Sequence, residues 1–212
     1  MKKVLFAVFA GSALFVQAQD GPKISSAKIA LNAGDLMEAK RYIDEAKASV
    51  DAIAPEARNP KLMPKYLLYR GDVYYAMFNE PSSKNIETLN EATAAYADLL
   101  AYEKTLGKIK LAKASEEKLP LLAQAYVGLA EDFNFNQNDK ASSIAAYEKA
   151  IATRAVLGQL DTTNMSYVAY LTMETGDKAK AEQLFKKLVE LEYKGIQWTG
   201  ILAEDGKRYP FP

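Results

Sequence analysis

The sequence predicts an all-α protein made of about four helix–turn–helix pairs stacked in chain order. Three observations predict it. A small residue, an apolar residue four positions on, and a small or apolar residue three further on recur four times: Ala39, Ile43, Ala46; Ala92, Tyr96, Leu99; Ser143, Tyr147, Ala150; and Ala181, Phe185, Leu188. That is the spacing of one buried helical stripe. Five positions before each small residue stand Gly34, Glu87, Asn138 and Gly176, followed by Asp35, Thr88, Asp139 and Asp177. Gly or Asn ends one helix there, and Asp caps the next. Finally, 49% of the 212 residues are apolar, enough for a core that grows by stacking units.

Residues 1–18 read as a signal peptide. Lys2 and Lys3 precede an apolar run from Val4 to Val16, and Val16-Gln17-Ala18 puts small or aliphatic groups where signal peptidase needs them. Cleavage is expected after Ala18. The run is shorter than the roughly 20 apolar residues that span a bilayer, so no integral membrane anchor is expected after cleavage. No Cys follows it, which excludes bacterial lipoprotein anchoring. A periplasmic or secreted protein is expected.

The helical domain is expected over 19–195. Its first pair covers Ile24 to Leu31 and Leu36 to Ile53, with Gly34-Asp35 between. Leu36, Ala39, Ile43, Ala46 and Val50 form the stripe of the second helix. Pro55, Asn59-Pro60 and Pro64 break the chain. The next helix runs from about Pro64 to Phe78 with two legible faces. Leu67, Gly71, Tyr74 and Phe78 make a buried stripe, Gly71 letting a neighbour approach closely; Lys65, Leu68, Asp72 and Tyr75 make a mixed one. Its partner runs from about Glu87 to Leu106 and is ended by Gly107. Lys108 to Lys118 is a helical extension or a solvated connector.

Pro120 is expected to begin the third pair, with Leu122, Tyr126, Leu129 and Phe133 on its first helix and Ile144, Tyr147, Ala150 and Ile151 on its second. Leu157-Gly158 and Asp161 mark a turn. The fourth pair spans about Asn164 to Glu192 around Gly176-Asp177, and Ala181, Leu184, Phe185, Leu188 and Leu191 line its second helix. Residues 196–212 are a short irregular or hairpin tail, with Asp205-Gly206 as the turn, or a truncated fifth repeat opening on Trp198 and Ile201.

Composition excludes several function classes. With neither Cys nor His, the chain cannot build Cys/His zinc sites, thiol chemistry, haem ligation by those residues or Ser-His machinery. The 27 basic residues balance 27 acids, and losing Lys2 and Lys3 leaves 25 against 27, near −2. Scattered lysines at that charge argue against nucleic acid, whose phosphates need clustered cations. No Gly-rich phosphate loop is present, and no cofactor is expected.

The residues resemble the tetratricopeptide repeat family, whose second helices carry Ala, an aromatic or aliphatic residue four later, and Ala seven later. The clearest matches are Gly34 to Ala39 with Ile43 and Ala46, and Gly176 to Ala181 with Phe185 and Leu188. Spacings of 53, 51 and 38 residues between units exceed the family's roughly 34, which requires longer helices or inserted loops. The segment from Phe133 to Tyr193 is also similar to exported tetratricopeptide proteins of Bacteroidota.

The resemblance implies a right-handed α-α solenoid of TPR-like pairs with a concave surface lined by first helices. It also implies a non-enzymatic role: binding a protein or peptide partner in the cell envelope. Carried over unit by unit, the groove-facing positions are Lys28 and Leu31; Lys65, Leu68, Asp72 and Tyr75; Asp132 and Phe135; Tyr170 and Met173. Lys and Asn do not recur where some family members clamp a C-terminal carboxylate, so a chaperone-tail receptor is not implied.

Two rival chemistries can be read from the residues. Asp132, Asn134, Asn136 and Asn138 alternate like the start of a calcium loop, but Gln137 and Ser143 stand where a turn Gly and a bidentate acid are needed. No metal is therefore expected, and Asn138-Asp139 reads as a helix cap. The alternative function is glycan binding or hydrolysis by paired carboxylates, Glu131 or Asp132 facing Asp72 near Tyr75 and Tyr170. With 27 acids in the chain some such pair is inevitable. Lys40 with Asp44 and Arg41 with Glu45 read as helix-surface pairs.

Overall fold

The structure, a computed structural model, describes residues 21–195, 201–202 and 208–209. The expected signal peptide and most of the tail lie outside the described residues. Among the described residues eight α-helices follow one another: α1 Gly21–Asn32, α2 Leu36–Asp51, α3 Met63–Asn79, α4 Ile86–Thr105, α5 Ala112–Phe135, α6 Lys140–Val156, α7 Thr162–Glu174 and α8 Lys178–Glu190. Beyond them β1 (Ile201–Leu202) pairs antiparallel with β2 (Arg208–Tyr209), Ile201 opposite Tyr209. The turn expected at Asp205-Gly206 and the alternative opening at Trp198 lie outside the described residues.

The expected turns form as read. Gly34, Asn138 and Gly176 adopt left-handed φ of 80°, 53° and 92°. Asp35, Asp139 and Asp177 then accept the backbone N–H of Glu38, Ser142 and Lys180, satisfying donors that the first helical turn leaves free. The second unit differs. Its helix α4 is capped by Asn85, which accepts from the Thr88 N–H at 2.8 Å, so the helix begins just before Glu87. Asp161 caps α7 and is itself nearly buried, bonded to the Asn164 side chain and paired with Arg154.

Pro120 does not begin α5; it lies inside that helix, which starts at Ala112. The Lys108 to Lys118 stretch therefore divides into a short connector and two helical turns. Two features explain this. Leu111, at the cap position, has no side chain able to hold the free N–H groups, and Glu103 of α4 supplies a carboxylate instead. Glu103 accepts from the N–H of Lys110, Leu111 and Ala112 at 2.6, 2.9 and 2.9 Å. Once begun, the helix is held by Ala112, Ser115, Leu119 and Leu122, all fully buried, which offsets the hydrogen bond lost at Pro120.

Helices pack in sequence order. Each packs against its chain neighbour, and α1 also meets α3, α3 meets α5, and α4 meets α6. One apolar core runs from Ile24 on α1 to Leu171 on α7, and a smaller cluster of Met165, Ala169 and Leu188 joins α7 to α8. Every residue of the four repeated triplets is buried except Phe185, which is half-buried. Gly71 confirms its expected role. A Cβ there would stand 2.8 Å from the Tyr96 ring of α4, so only glycine admits that contact. No described helix is long and apolar enough to cross a membrane.

Candidate partner-binding surface

The ten first-helix positions fall into two groups. Those of α1 and α3 are mostly engaged within the chain. Lys28 lies over the Tyr69 ring at 5.1 Å, and Leu31, Leu68 and Tyr75 are half-buried against the core. Lys118 of α5 covers the Tyr75 ring at 4.7 Å, while Asp72 accepts the Tyr96 hydroxyl at 2.7 Å. Lys65 alone of this group is exposed.

Of the positions on α5 and α7, Asp132 is half-buried and the other three are open. Phe135 is 77% exposed, Tyr170 56% and Met173 47%, values that mark large apolar side chains without full cover. Asp132 and Phe135 line one recess of about 760 Å³ between α5 and the end of α3, with Phe78, Lys84, Ala125, Gly128, Leu129 and Glu131. Tyr170 meets Phe185 of α8 edge-on at 5.1 Å, and Met173 lies with Phe185 and Val189 along a second recess of about 670 Å³. Tyr167, one turn before Tyr170, stacks on Tyr147 with centroids 5.4 Å apart.

Electrostatics separate the acids of the first recess. Hydrogen bonds from Asn136 and Gln137 hold the Asp132 carboxyl below its ordinary range, with help from the Lys84 charge. Asn136 and Gln137 are thus spent on ending α5, as the cap reading of this segment expects. Among the described residues Glu131 makes no hydrogen bond or ion pair, although its charge helps to raise the hydroxyl pKa of Tyr147 and Tyr167, mainly raised by burial. Asp72 does not line the recess that holds Glu131 and Asp132. Among the described residues no three His, Cys, Asp or Glu side chains gather as metal ligands.

One cluster was not anticipated. Arg70 of α3 is only 5% exposed, and it bridges Asp44 of α2 at 3.1 Å and Glu91 of α4. Its guanidinium lies 4.8 Å from the Tyr74 ring centroid, and the Tyr74 hydroxyl donates to Asp44 at 2.7 Å. The pair Lys40–Asp44, expected as a surface contact, is the outer edge of this cluster, because Asp44 also accepts from Arg70 and Tyr74 of α3. Burial works to raise the Asp44 pKa, but hydrogen bonds from Lys40 and Tyr74 and the Arg70 charge bring it below the usual range. Burial likewise pushes the neighbouring Tyr66 hydroxyl up to about 12.

The signal for this cluster was an arginine within the buried face of α3, between Leu67 and Tyr74. A charge there requires partners, but sequence distance hides which carboxylates supply them. Arg70, Tyr66 and Glu91 also line a recess of about 500 Å³ among α2, α3 and α4, beside Lys47, Asp51 and Arg58. Its formal charges are mixed, and Arg70 is already paired on both sides.

Compared with models of known protein families, with curated proteins and with solved structures, the chain has no significant match.

Proposed function

We propose that the eight helices are tetratricopeptide-like pairs forming an open right-handed solenoid, exported to the periplasm or secreted, that docks a protein or peptide of the cell envelope on its first helices. The observation that carries this reading is the exposure of Phe135, Tyr170 and Met173, three large apolar residues at first-helix positions of consecutive units. Packing between sequence neighbours supports it, because the contacts of α1 with α3, of α3 with α5 and of α4 with α6 are those expected where successive pairs stack. The role is non-enzymatic. No arrangement in the described residues favours the glycan alternative, since Asp72 is committed to Tyr96 and Tyr75 to the core.

The test is copurification from the native envelope fraction with the wild-type protein and a Phe135→Ala, Tyr170→Ala double variant. A partner retained by the wild type and lost from the variant, with an unchanged circular dichroism spectrum, is the expected outcome. Turnover on an oligosaccharide panel that disappears in Asp132→Asn would overturn the non-enzymatic role.

A further inference from the structure

Gly128 has no structural reason to be glycine. It lies in the interior of α5 with helical backbone, is exposed, and has no atom within 4 Å of where a Cβ would stand. Glycine is a poorer helix residue than alanine, so at Gly71 its cost is offset by the Tyr96 ring, whereas at Gly128 nothing within the chain offsets it. Gly128 lies instead in the first-helix recess, its bare backbone set among Phe78, Ala125, Leu129 and Phe135.

The charges around that floor select the occupant. Asp132 accepts hydrogen bonds from Asn136 and Gln137, and Lys84, the one cation lining the recess, lies over the Phe78 ring at 5.9 Å, so two carboxylates face one cation there. Of the two carboxylates that line the recess, Glu131 is the one that makes no hydrogen bond or ion pair among the described residues.

We infer that Gly128 is the contact floor of a docking site for a peptide segment that places an apolar side chain flush on the α5 backbone and a lysine or arginine against Glu131. The inference rests on the docking function proposed above and names its ligand class. A side chain at position 128 would occupy the space the apolar anchor needs, and an attractive cation at Glu131 would discriminate against acidic segments.

The experiment uses three fluorescein-labelled peptides that alternate phenylalanine with lysine, with glutamine or with glutamate, titrated against the full chain by fluorescence anisotropy. The lysine peptide is expected to bind about tenfold tighter than the glutamate peptide. Gly128→Gln should weaken it about tenfold while the melting temperature holds or rises, and Glu131→Gln should erase the preference for lysine over glutamine. Equal binding of all three peptides, or unchanged affinity in Gly128→Gln, overturns the inference. Binding that survives Gly128→Gln but is lost in Tyr170→Ala overturns the recess and leaves first-helix docking standing. Absence of binding by every peptide also overturns the inference, while envelope copurification judges docking separately.

Discussion

Two helix-interior glycines have opposite physical meanings. At Gly71 a methyl group meets the Tyr96 ring at 2.8 Å, and that ring is fully buried with its hydroxyl held by Asp72, so it has nowhere to move. Gly71→Ala is therefore expected to destabilise the fold by about 1–3 kcal/mol, as overpacking does. At Gly128 the same substitution meets open space and gains helix propensity, so Gly128→Ala is expected to stabilise by up to about 1 kcal/mol. Urea unfolding of both variants checks the pair. Equal effects would refute the distinction. The sequence revealed Gly71 through its place in a buried stripe; nothing local marked Gly128, because emptiness beside a helix is a tertiary fact.

Among the elements, α5 begins eight residues before the Pro120 start its sequence suggests, and the reason lies in another helix. Glu103 is nearly buried, and burial alone would raise its pKa, but the N–H groups of Ala112, Lys110 and Leu111 bring it below the ordinary range. A carboxylate whose folded pKa lies below its unfolded value contributes stability in full above that unfolded value, about 4.3. It loses that stability as pH falls through the folded pKa. At pH 7, Glu103→Gln is expected to cost about 1–3 kcal/mol, since a neutral amide oxygen replaces a charged acceptor for several N–H donors. Between about pH 5 and pH 3 the wild type should lose more stability than the variant, so the gap narrows. Chemical denaturation across that range checks it, and parallel pH profiles would refute the cap's contribution. Arg70 joins α2, α3 and α4 in a similar way, a charged crosspiece between elements that each read, alone, as ordinary amphipathic helices.

At the scale of the whole molecule, cohesion is uneven. The main core passes through the helices from α1 to α7, whereas α8 buries only Ala181 and Leu188 and joins α7 through a small cluster. A chain whose units contact mainly their neighbours opens from its weakest end. Amides of α8 should therefore exchange with solvent before those of α3 to α5, by native-state hydrogen exchange followed residue by residue. Uniform protection across the eight helices would show one cooperative unit instead. Of the candidate surface, Phe135, Tyr170 and Met173 were legible as first-helix positions and are open, yet Leu31, Leu68 and Tyr75, read in the same way, are half-buried. Periodicity assigns a residue to a helix face, but only the neighbouring helix decides whether that face is covered.

By itself the sequence determined the helix pairs, the stripes formed by their repeated triplets and the Asp35, Asp139 and Asp177 caps, because each depends on residues within one or two turns of one another. The tertiary structure alone decided that Glu103 starts α5, that Arg70 lies between Asp44 and Glu91, and that Gly128 opens onto a recess. Those features depend on which side chains packing brings together across helices, and no spacing along the chain encodes that distance.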